Sequence, residues 1–477
     1  MGRNTPKGAD VRSVYLSHNS PHLTVDWCDV ARVTIDMLPE VPLLEIFGFY
    51  VGGHGVRKDA WYTLVHVCRK WRDVAFRSPR RLDLRLLCKP STPVRETIDA
   101  WPLLPILVSC HGLDYEEWGV DNIIAVLEHN DRIRELYLED YPNSQMEEVF
   151  AVMQQPFPAL ENLLLTSTSE TVVMPDLFLG GSAPRLRQLL LYSIPFPGLP
   201  KLLLSATHLI YLYLFDIPHS GYFSPEAMVT ILSVLTNLDS LIIRFKSPRS
   251  RPDRRRRPPP PTRTLLPALA YFDFKGVSEY LDDLVARIDA PLLIQLDITF
   301  FHQLIFDTPQ LTQFISRTPN LNAFDGAFVE FFDSSVLVKT TDEALTLEIS
   351  CRQSDWQLLS LAQVCSTNFI STIGKLYIEE GANSPPTWQD DIETGQWLEL
   401  LHQLTSVTDL YISPEFTPRI APTLQELTAG RATEVLPALQ TLFLKEPLPS
   451  GVQETIDKFV ATRELSGHPI VVYRWGG

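Results

Sequence analysis

The chain has 477 residues, of which 45% are hydrophobic and 21% are charged, and this composition excludes a chain that is disordered along its whole length. Its formal net charge of −16 argues against a general nucleic-acid binder, because phosphate contacts require clustered Lys and Arg side chains. No apolar run is long enough to cross a membrane and the first residues lack a signal peptide, so we expect a cytosolic or nuclear protein with no membrane partner.

Residues 1–34 show no clear periodicity and are predicted to form a loose tail. Order is predicted to begin at Ile35, and apolar residues at positions 43, 46, 47 and 50 then form one helical stripe. Pro42 is compatible with a helix only if the first turn starts near Glu40, since a Pro further inside would remove a backbone donor. After a glycine-rich turn, Asp59 is predicted to cap a second helical region that continues to Phe76.

Roughly fifty residues bury apolar stripes of this size poorly without a partner. The segments Leu38-Pro39-x-Val41 with Leu44 and Ile46-Phe47, then Val67-Cys68-Arg69-Lys70-Trp71-Arg72, resemble the F-box motif over residues 35–80. That resemblance implies docking onto the Skp adaptor of cullin-RING ubiquitin ligases. The contacts it implies are those of Leu38, Pro39, Val41, Leu44, Ile46, Phe47, Val67, Cys68 and Trp71. The alternative is an ordinary helical cap at the end of a repeat array.

A transition or cap is expected over residues 81–120, and the pattern L-x-x-L-x-L then recurs about every 23 to 34 residues, close to the usual leucine-rich-repeat period. Clear units start at Ile133, Leu160, Leu186, Leu209, Leu238, Ile373, Val407 and Leu439, and weaker ones at Leu269, Leu293, Leu321 and Leu345. Helical segments lie between the units. The pattern predicts an α/β fold over residues 121–477, a ribonuclease-inhibitor-like horseshoe with a parallel sheet inside and helices outside.

The repeat array also resembles the repeat part of the fungal F-box/leucine-rich-repeat family, so that the likeness covers most of the chain. Segments such as Phe178-Leu179-Gly180-Gly181-Ser182-Ala183-Pro184-Arg185-Leu186 carry this resemblance. The targets of that family are largely unassigned, so the resemblance implies an architecture and not the identity of a target.

Tyrosines recur between the leucines of several units, in positions that are predicted to face the concave side of the sheet. These candidate target-binding residues are Tyr137, Tyr211, Tyr213, Tyr377 and Tyr411. Exposed tyrosines beside charges are typical of protein-binding surfaces. The alternative is structural, because aromatic residues suit strands and ring contacts between strands stabilise a sheet.

Residues 247–263 contain seven arginines and six prolines, and they are predicted to form a disordered insertion within the array. A nuclear-import signal, a nucleic-acid contact and an acidic partner are all compatible with this composition. A solvated loop is the simpler interpretation, and we favour it because charge runs usually are solvated.

Catalytic and metal-binding patterns are not found in the sequence. The six cysteines form no C-x-x-C pair, and His208, His219, His302 and His402 lack spaced carboxylate or Cys partners. There is no phosphate-binding Gly loop, no G-x-S-x-G and no H-E-x-x-H, so we predict a protein without cofactor or metal that is not an enzyme.

These observations together predict a substrate-receptor adaptor of an SCF-type ubiquitin ligase, with the Skp adaptor, the cullin complex and an unknown target protein as partners. A repeat scaffold that binds proteins outside any ligase is the alternative, and a hydrolase is kept only as a formal third class. We do not expect nucleic acid as a partner.

Overall fold

The computed structural model describes residues 35–52, 60–77, 84–86, 88–91, 93–100, 103–110, 119–141, 143–167, 172–196, 199–252, 262–303, 306–322, 324–351, 356–365, 373–381, 394–426, 434–446, 448 and 450–476. The chain divides into two compact units, Met1–Arg81 and Leu82–Gly477, each with its own internal packing. The predicted N-terminal tail and most of the predicted Arg/Pro insertion lie outside the described residues.

The first unit contains a 3-10 turn at Ile35–Met37 and three helices, α1 (Glu40–Gly52), α2 (Ala60–Val67) and α3 (Arg69–Arg77). Helix α1 begins at Glu40, as Pro42 requires, and Pro42 therefore lies in the first turn where its missing N–H breaks no internal hydrogen bond. The three helices pack around one apolar core, formed by Leu43, Leu44, Phe47, Leu64, Val65, Trp71, Val74 and Ala75.

The second unit is built on one long sheet, which has sixteen strands among the described residues. The strands of this unit are β1 (Leu84–Leu86), β2 (Ile106–Cys110), β3 (Ile133–Tyr141), β4 (Asn162–Ser167), β5 (Gln188–Tyr192), β6 (Tyr211–Ile217), β7 (Ser240–Phe245), β8 (Thr264–Leu265), β9 (Tyr271–Gly276), β10 (Ile288–Asp289), β11 (Gln295–Phe300), β12 (Gly326–Phe331), β13 (Ser335–Thr340), β14 (Leu345–Ser350), β15 (Lys375–Glu380), β16 (Asp409–Ile412), β17 (Thr441–Glu446) and β18 (Val471–Gly476). Strands β8 and β10 pair only with each other. The segment predicted as a transition, residues 81–120, contributes β1 and β2 to the long sheet.

Helices alternate with these strands along the chain. They are α4 (Val94–Ala100), α5 (Val120–Leu127), α6 (Asn143–Val152), α7 (Leu199–Ser205), α8 (Pro225–Leu232), α9 (Ser278–Val285), α10 (Pro309–Arg317), α11 (Gln357–Cys365), α12 (Thr394–Gln403), α13 (Thr417–Glu426) and α14 (Ser450–Leu465). Leucines of successive units lie side by side, with Leu189 opposite Leu212 and Leu212 opposite Leu241, and all three are fully buried. The α/β class and the long, mostly parallel sheet are therefore confirmed, and they are consistent with a leucine-rich-repeat solenoid.

The sheet departs from the predicted all-parallel arrangement at one place. After β11 the strand order is β14, β13, β12 and then β15, and β13 runs antiparallel to both of its neighbours. The weak units predicted to start at Leu321 and Leu345 are therefore not two successive repeats. Leu321 ends a 3-10 turn, and residues 326–350 form a three-stranded meander because tight turns, with Glu343 at a φ of 61°, leave no room for a helix.

Candidate functional site

Within the described parts of the chain, helices cover one face of the long sheet and leave the other face open. Buried strand residues contact the helices, as Phe245 does with Tyr280 of α9 at 4.8 Å between ring centroids and Phe331 does with Trp397 of α12 at 6.1 Å. Residues that alternate with the buried ones therefore point to the opposite face, because side chains alternate along a strand. We call this opposite face the open face.

The strand register places one row of open-face residues directly opposite one another from β2 to β18. This central row consists of Ser109, Tyr137, Leu164, Leu190, Tyr213, Ile242, Asp273, Asp297, Thr346, Lys339, Phe328, Tyr377, Tyr411, Phe443 and Tyr473. Four of the five predicted tyrosines lie in the row, and Tyr211 lies two residues earlier on β6.

The last five strands of the sheet carry a continuous stack of rings, which we call the aromatic ladder: Phe328, Tyr377, Tyr411, Phe443 and Tyr473. Successive ring centroids lie 4.5, 4.1, 4.0 and 5.2 Å apart, and no interplanar angle exceeds 23°. The spacing follows from the backbone, since strands about 4.8 Å apart hold identically placed rings at stacking distance. The ring faces inside the stack cover one another, so the stack presents its ring edges to solvent.

The predicted tyrosines fall into three places. Tyr377 and Tyr411 belong to the aromatic ladder. Tyr213 lies in a looser cluster, with its ring centroid 6.0 Å from that of Tyr211 and 6.2 Å from that of Phe215. Burial and the neighbouring Glu135 carboxylate raise the pKa of Tyr137 to about 12, so its hydroxyl stays protonated.

Three ladder residues were not predicted from the sequence: Phe328, Phe443 and Tyr473. Phe443 occupies the same slot as the predicted tyrosines in the unit that starts at Leu439, and an aromatic criterion wider than Tyr would have found it. Phe328 lies in the meander and Tyr473 in the last strand, and neither sequence carries the full L-x-x-L-x-L pattern.

An open groove of about 550 Å³ runs beside the ladder on β12, β15 and β16. It is lined by Phe328, Tyr377, Ile378, Glu379, Glu380, Tyr411, Ile412, Ser413, Pro414, Glu415 and Lys445. Partial burial and the carboxylates of Glu330 and Glu415 raise the pKa of Glu379 above its usual range, and Lys445 opposes that effect. The groove therefore has an aromatic floor and a rim in which negative charges outnumber the positive one.

The middle of the open face carries charges of a different kind, which we call the ionic centre: Arg244, Tyr271, Asp273, Gln295 and Asp297. The guanidinium of Arg244 donates two hydrogen bonds to Asp273, one of them at 2.9 Å, and lies 5.5 Å from the ring centroid of Phe215. The hydroxyl of Tyr271 lies 2.9 Å from the carboxylate of Asp297, to which it donates. Burial and both carboxylates raise the pKa of Tyr271, which remains a donor.

The residues predicted to bind the adaptor fall into three classes of burial in the helical unit. Pro39, Val41, Ile46 and Val67 are exposed, and Leu38 and Cys68 are half-buried. The remaining three, Leu44, Phe47 and Trp71, lie in the core, where the rings of Phe47 and Trp71 are 4.9 Å apart. These three side chains lie on the inner sides of their helices and pack in the apolar core of the helical unit.

No group of three or more His, Cys, Asp and Glu side chains is arranged to hold a metal ion among the residues that the structure describes. No described helix combines the length and the apolarity that crossing a membrane requires.

No protein-family model matches the chain, and no curated protein matches it. Among solved structures it is similar to the leucine-rich repeat-containing protein LegL7 from Legionella pneumophila, with 13% sequence identity over 82% of this chain and 99% of that one. The TM-score is 0.27, which is too low to carry an argument about function. The architecture rests on the strands, their register and the helices described above.

Proposed function

We propose that the chain is the substrate-receptor adaptor of an SCF-type cullin-RING ubiquitin ligase. In this proposal the helical unit docks onto the Skp adaptor, and the open face of the sheet holds a target protein. The protein acts in the cytosol or the nucleus and contributes no catalytic group. It raises the local concentration of target lysines near the ubiquitin-loaded enzyme.

The observation that carries the proposal is the apolar surface that helix α1 leaves exposed. The helix carries apolar residues on both sides, with one side in the core and Val41, Ile46, Phe49 and Tyr50 exposed on the other beside Glu45. Val41 is 62% exposed and Phe49 is 82% exposed. An apolar patch of this kind on a three-helix unit is typical of an interaction site.

The exposed patch coincides with the motif that resembles the F-box. Pro39, Val41, Ile46 and Val67 are the exposed members of the set that the resemblance assigns to the Skp adaptor. The ε-amino group of Lys70 donates to the carbonyl of Leu38 at 3.0 Å, which ties the Leu-Pro segment to helix α3 and fixes its position beside the patch.

The test is a substitution that alters the patch and leaves the core intact. Val41→Glu with Ile46→Glu places two carboxylates on the exposed side of α1, where a docked partner would have to bury them. We expect the purified chain to bind the purified Skp adaptor and the double variant to bind at least tenfold more weakly, measured by biolayer interferometry.

The matched control is Leu292→Glu with Ile294→Glu, because those side chains are 59% and 62% exposed on the other compact unit. The control should bind the adaptor like the wild type. Equal binding by a folded Val41→Glu, Ile46→Glu variant, or no binding by the wild type, would overturn the proposal and leave a repeat scaffold outside any ligase as the better interpretation.

A further inference from the structure

Carboxylates beside the aromatic ladder lie in positions that destabilise the sheet. Glu330 on β12 lies directly opposite Glu379 on β15, and both point to the open face. Like charges in directly opposed positions destabilise a sheet. Neither side chain has an ion pair or a hydrogen bond among the described residues, and the same holds for Glu380 and Glu415 at the groove.

The rest of the groove is suited to a chain segment rather than to a small molecule. It is open to solvent and is lined by residues of four neighbouring strands, β12, β15, β16 and β17, so the groove is about three strand spacings long, or roughly 14 Å. An extended segment of about four residues has this length.

The charges decide which segment fits. Four carboxylates stand around the groove and one ammonium, that of Lys445, lines it. A purely apolar segment would desolvate these carboxylates without pairing them, which is costly. A Lys or Arg side chain would lay its aliphatic part along the ring edges of the ladder and bring its charged end to a carboxylate.

We propose that the groove beside the aromatic ladder is a docking site for an extended, Lys- or Arg-bearing segment of a partner protein. The ladder gives a rigid floor whose rings are already ordered by stacking, so little side-chain entropy is lost on binding. Glu379, Glu330 and Glu415 pair with the basic side chains. This inference deepens the proposed function and rests on it for treating the segment as part of a ligase target.

The experiment uses the purified full chain and three synthetic octapeptides, with alternating Lys and Thr, alternating Glu and Thr, and alternating Leu and Thr. We expect the Lys peptide to bind at least tenfold more tightly than the other two by fluorescence anisotropy. The affinity for the Lys peptide should fall at least threefold between 50 and 300 mM salt, because salt screens exposed charge pairs.

The variant Glu379→Gln with Glu415→Gln should weaken the Lys peptide at least fivefold. Its matched control, Glu399→Gln with Glu464→Gln, removes the same charge from exposed helical positions and should leave the affinity unchanged. Equal effects of the two double variants would show a non-specific response to net charge and overturn the inference, as would tighter binding of the Leu or Glu peptide.

The docking inference and the proposed function can be refuted separately. Peptide binding is measured without the Skp adaptor, and adaptor binding is measured without the peptide. A chain that binds the adaptor and not the Lys peptide keeps the proposed function and loses this inference. A chain that binds the Lys peptide and not the adaptor keeps the docking groove and loses its assignment to a ligase.

Discussion

The ionic centre and the aromatic ladder differ in how their directly opposed carboxylates are paired. In each, two carboxylates lie directly opposite each other on neighbouring strands of the open face, Asp273 opposite Asp297 and Glu330 opposite Glu379. In the ionic centre, Arg244 neutralises one carboxylate and Tyr271 and Gln295 donate to the other. At the ladder the two carboxylates have no such donors among the described residues.

This difference separates a structural network from a candidate site. Charges that are paired within the sheet stabilise it and leave little for a partner to gain. Like charges that face each other without a partner destabilise the sheet. Such destabilising placements are expected at sites where a protein binds a ligand or another protein. The open face therefore carries a closed polar network in its middle and an available polar groove toward its C-terminal end.

The largest effect is expected from breaking the ionic centre. Asp273→Ala removes the partner of Arg244 and one acceptor of Tyr271, and Asp273 itself is only 3% exposed. We expect a loss of about 2 kcal/mol in the free energy of unfolding, less than for a fully buried pair because the side chain of Arg244 is 42% exposed. Urea denaturation with an unchanged m value would measure it.

The counterpart at the ladder is Glu379→Ala, for which we expect a change of less than about 0.5 kcal/mol because no stabilising pair is removed. Similar losses for Asp273→Ala and Glu379→Ala would contradict the distinction between the two regions.

A smaller effect is expected from interrupting the aromatic ladder. Tyr411→Ser removes the rings' contacts with both Tyr377 and Phe443, which lie 4.1 and 4.0 Å away between centroids. Aromatic pairs contribute about 0.5–1.5 kcal/mol each, so we expect a loss of about 1.5 kcal/mol in the free energy of unfolding, measured by the same urea denaturation.

Tyr211→Ser is the matched control, since the ring of Tyr211 is 6.0 Å from that of Tyr213 and is not part of a stack. It should cost less than half as much as Tyr411→Ser. If the two substitutions cost the same, stacking across the strands is not what distinguishes the ladder from the rest of the open face.

The smallest effect concerns pH. The pKa of Glu379 is raised in the folded chain, so the ionised form is less favourable there than in the unfolded chain. The resulting destabilisation is absent at a pH below the ordinary carboxyl range and appears as pH rises through the raised pKa. Glu379→Gln should therefore be slightly more stable than the wild type at pH 7 and equal to it near pH 4, as measured by thermal midpoints. A variant that is less stable at pH 7 would contradict the unpaired state of Glu379.

The strands could be predicted from the sequence because each clear unit commits leucines at fixed positions to the core. Leu189, Leu212 and Leu241 lie side by side as that periodicity requires. The meander of β12, β13 and β14 could not be predicted in the same way. Its alternating residues resemble a degenerate repeat, and only the chain reversal at Glu343 distinguishes a hairpin from a new unit.

Two residues of the ladder could be predicted from the sequence, and the arrangement of the candidate site could not. The slot of Tyr377 and Tyr411 follows from their units, but their stacking partner Phe328 becomes a neighbour only through the reversed strand order. The pairing of Arg244 with Asp273 likewise depends on the register of β7 and β9. In the helical unit, the motif could not separate the core residues Phe47 and Trp71 from the exposed Val41, because that division depends on how the helices pack.

Calorimetric titration of the purified chain with the purified Skp adaptor at several temperatures tests directly whether the exposed side of helix α1 is buried against that adaptor. We predict saturable binding at one adaptor per chain with a negative heat-capacity change, which is the mark of apolar surface removed from water. Absence of binding, or binding without a negative heat-capacity change, would contradict this burial.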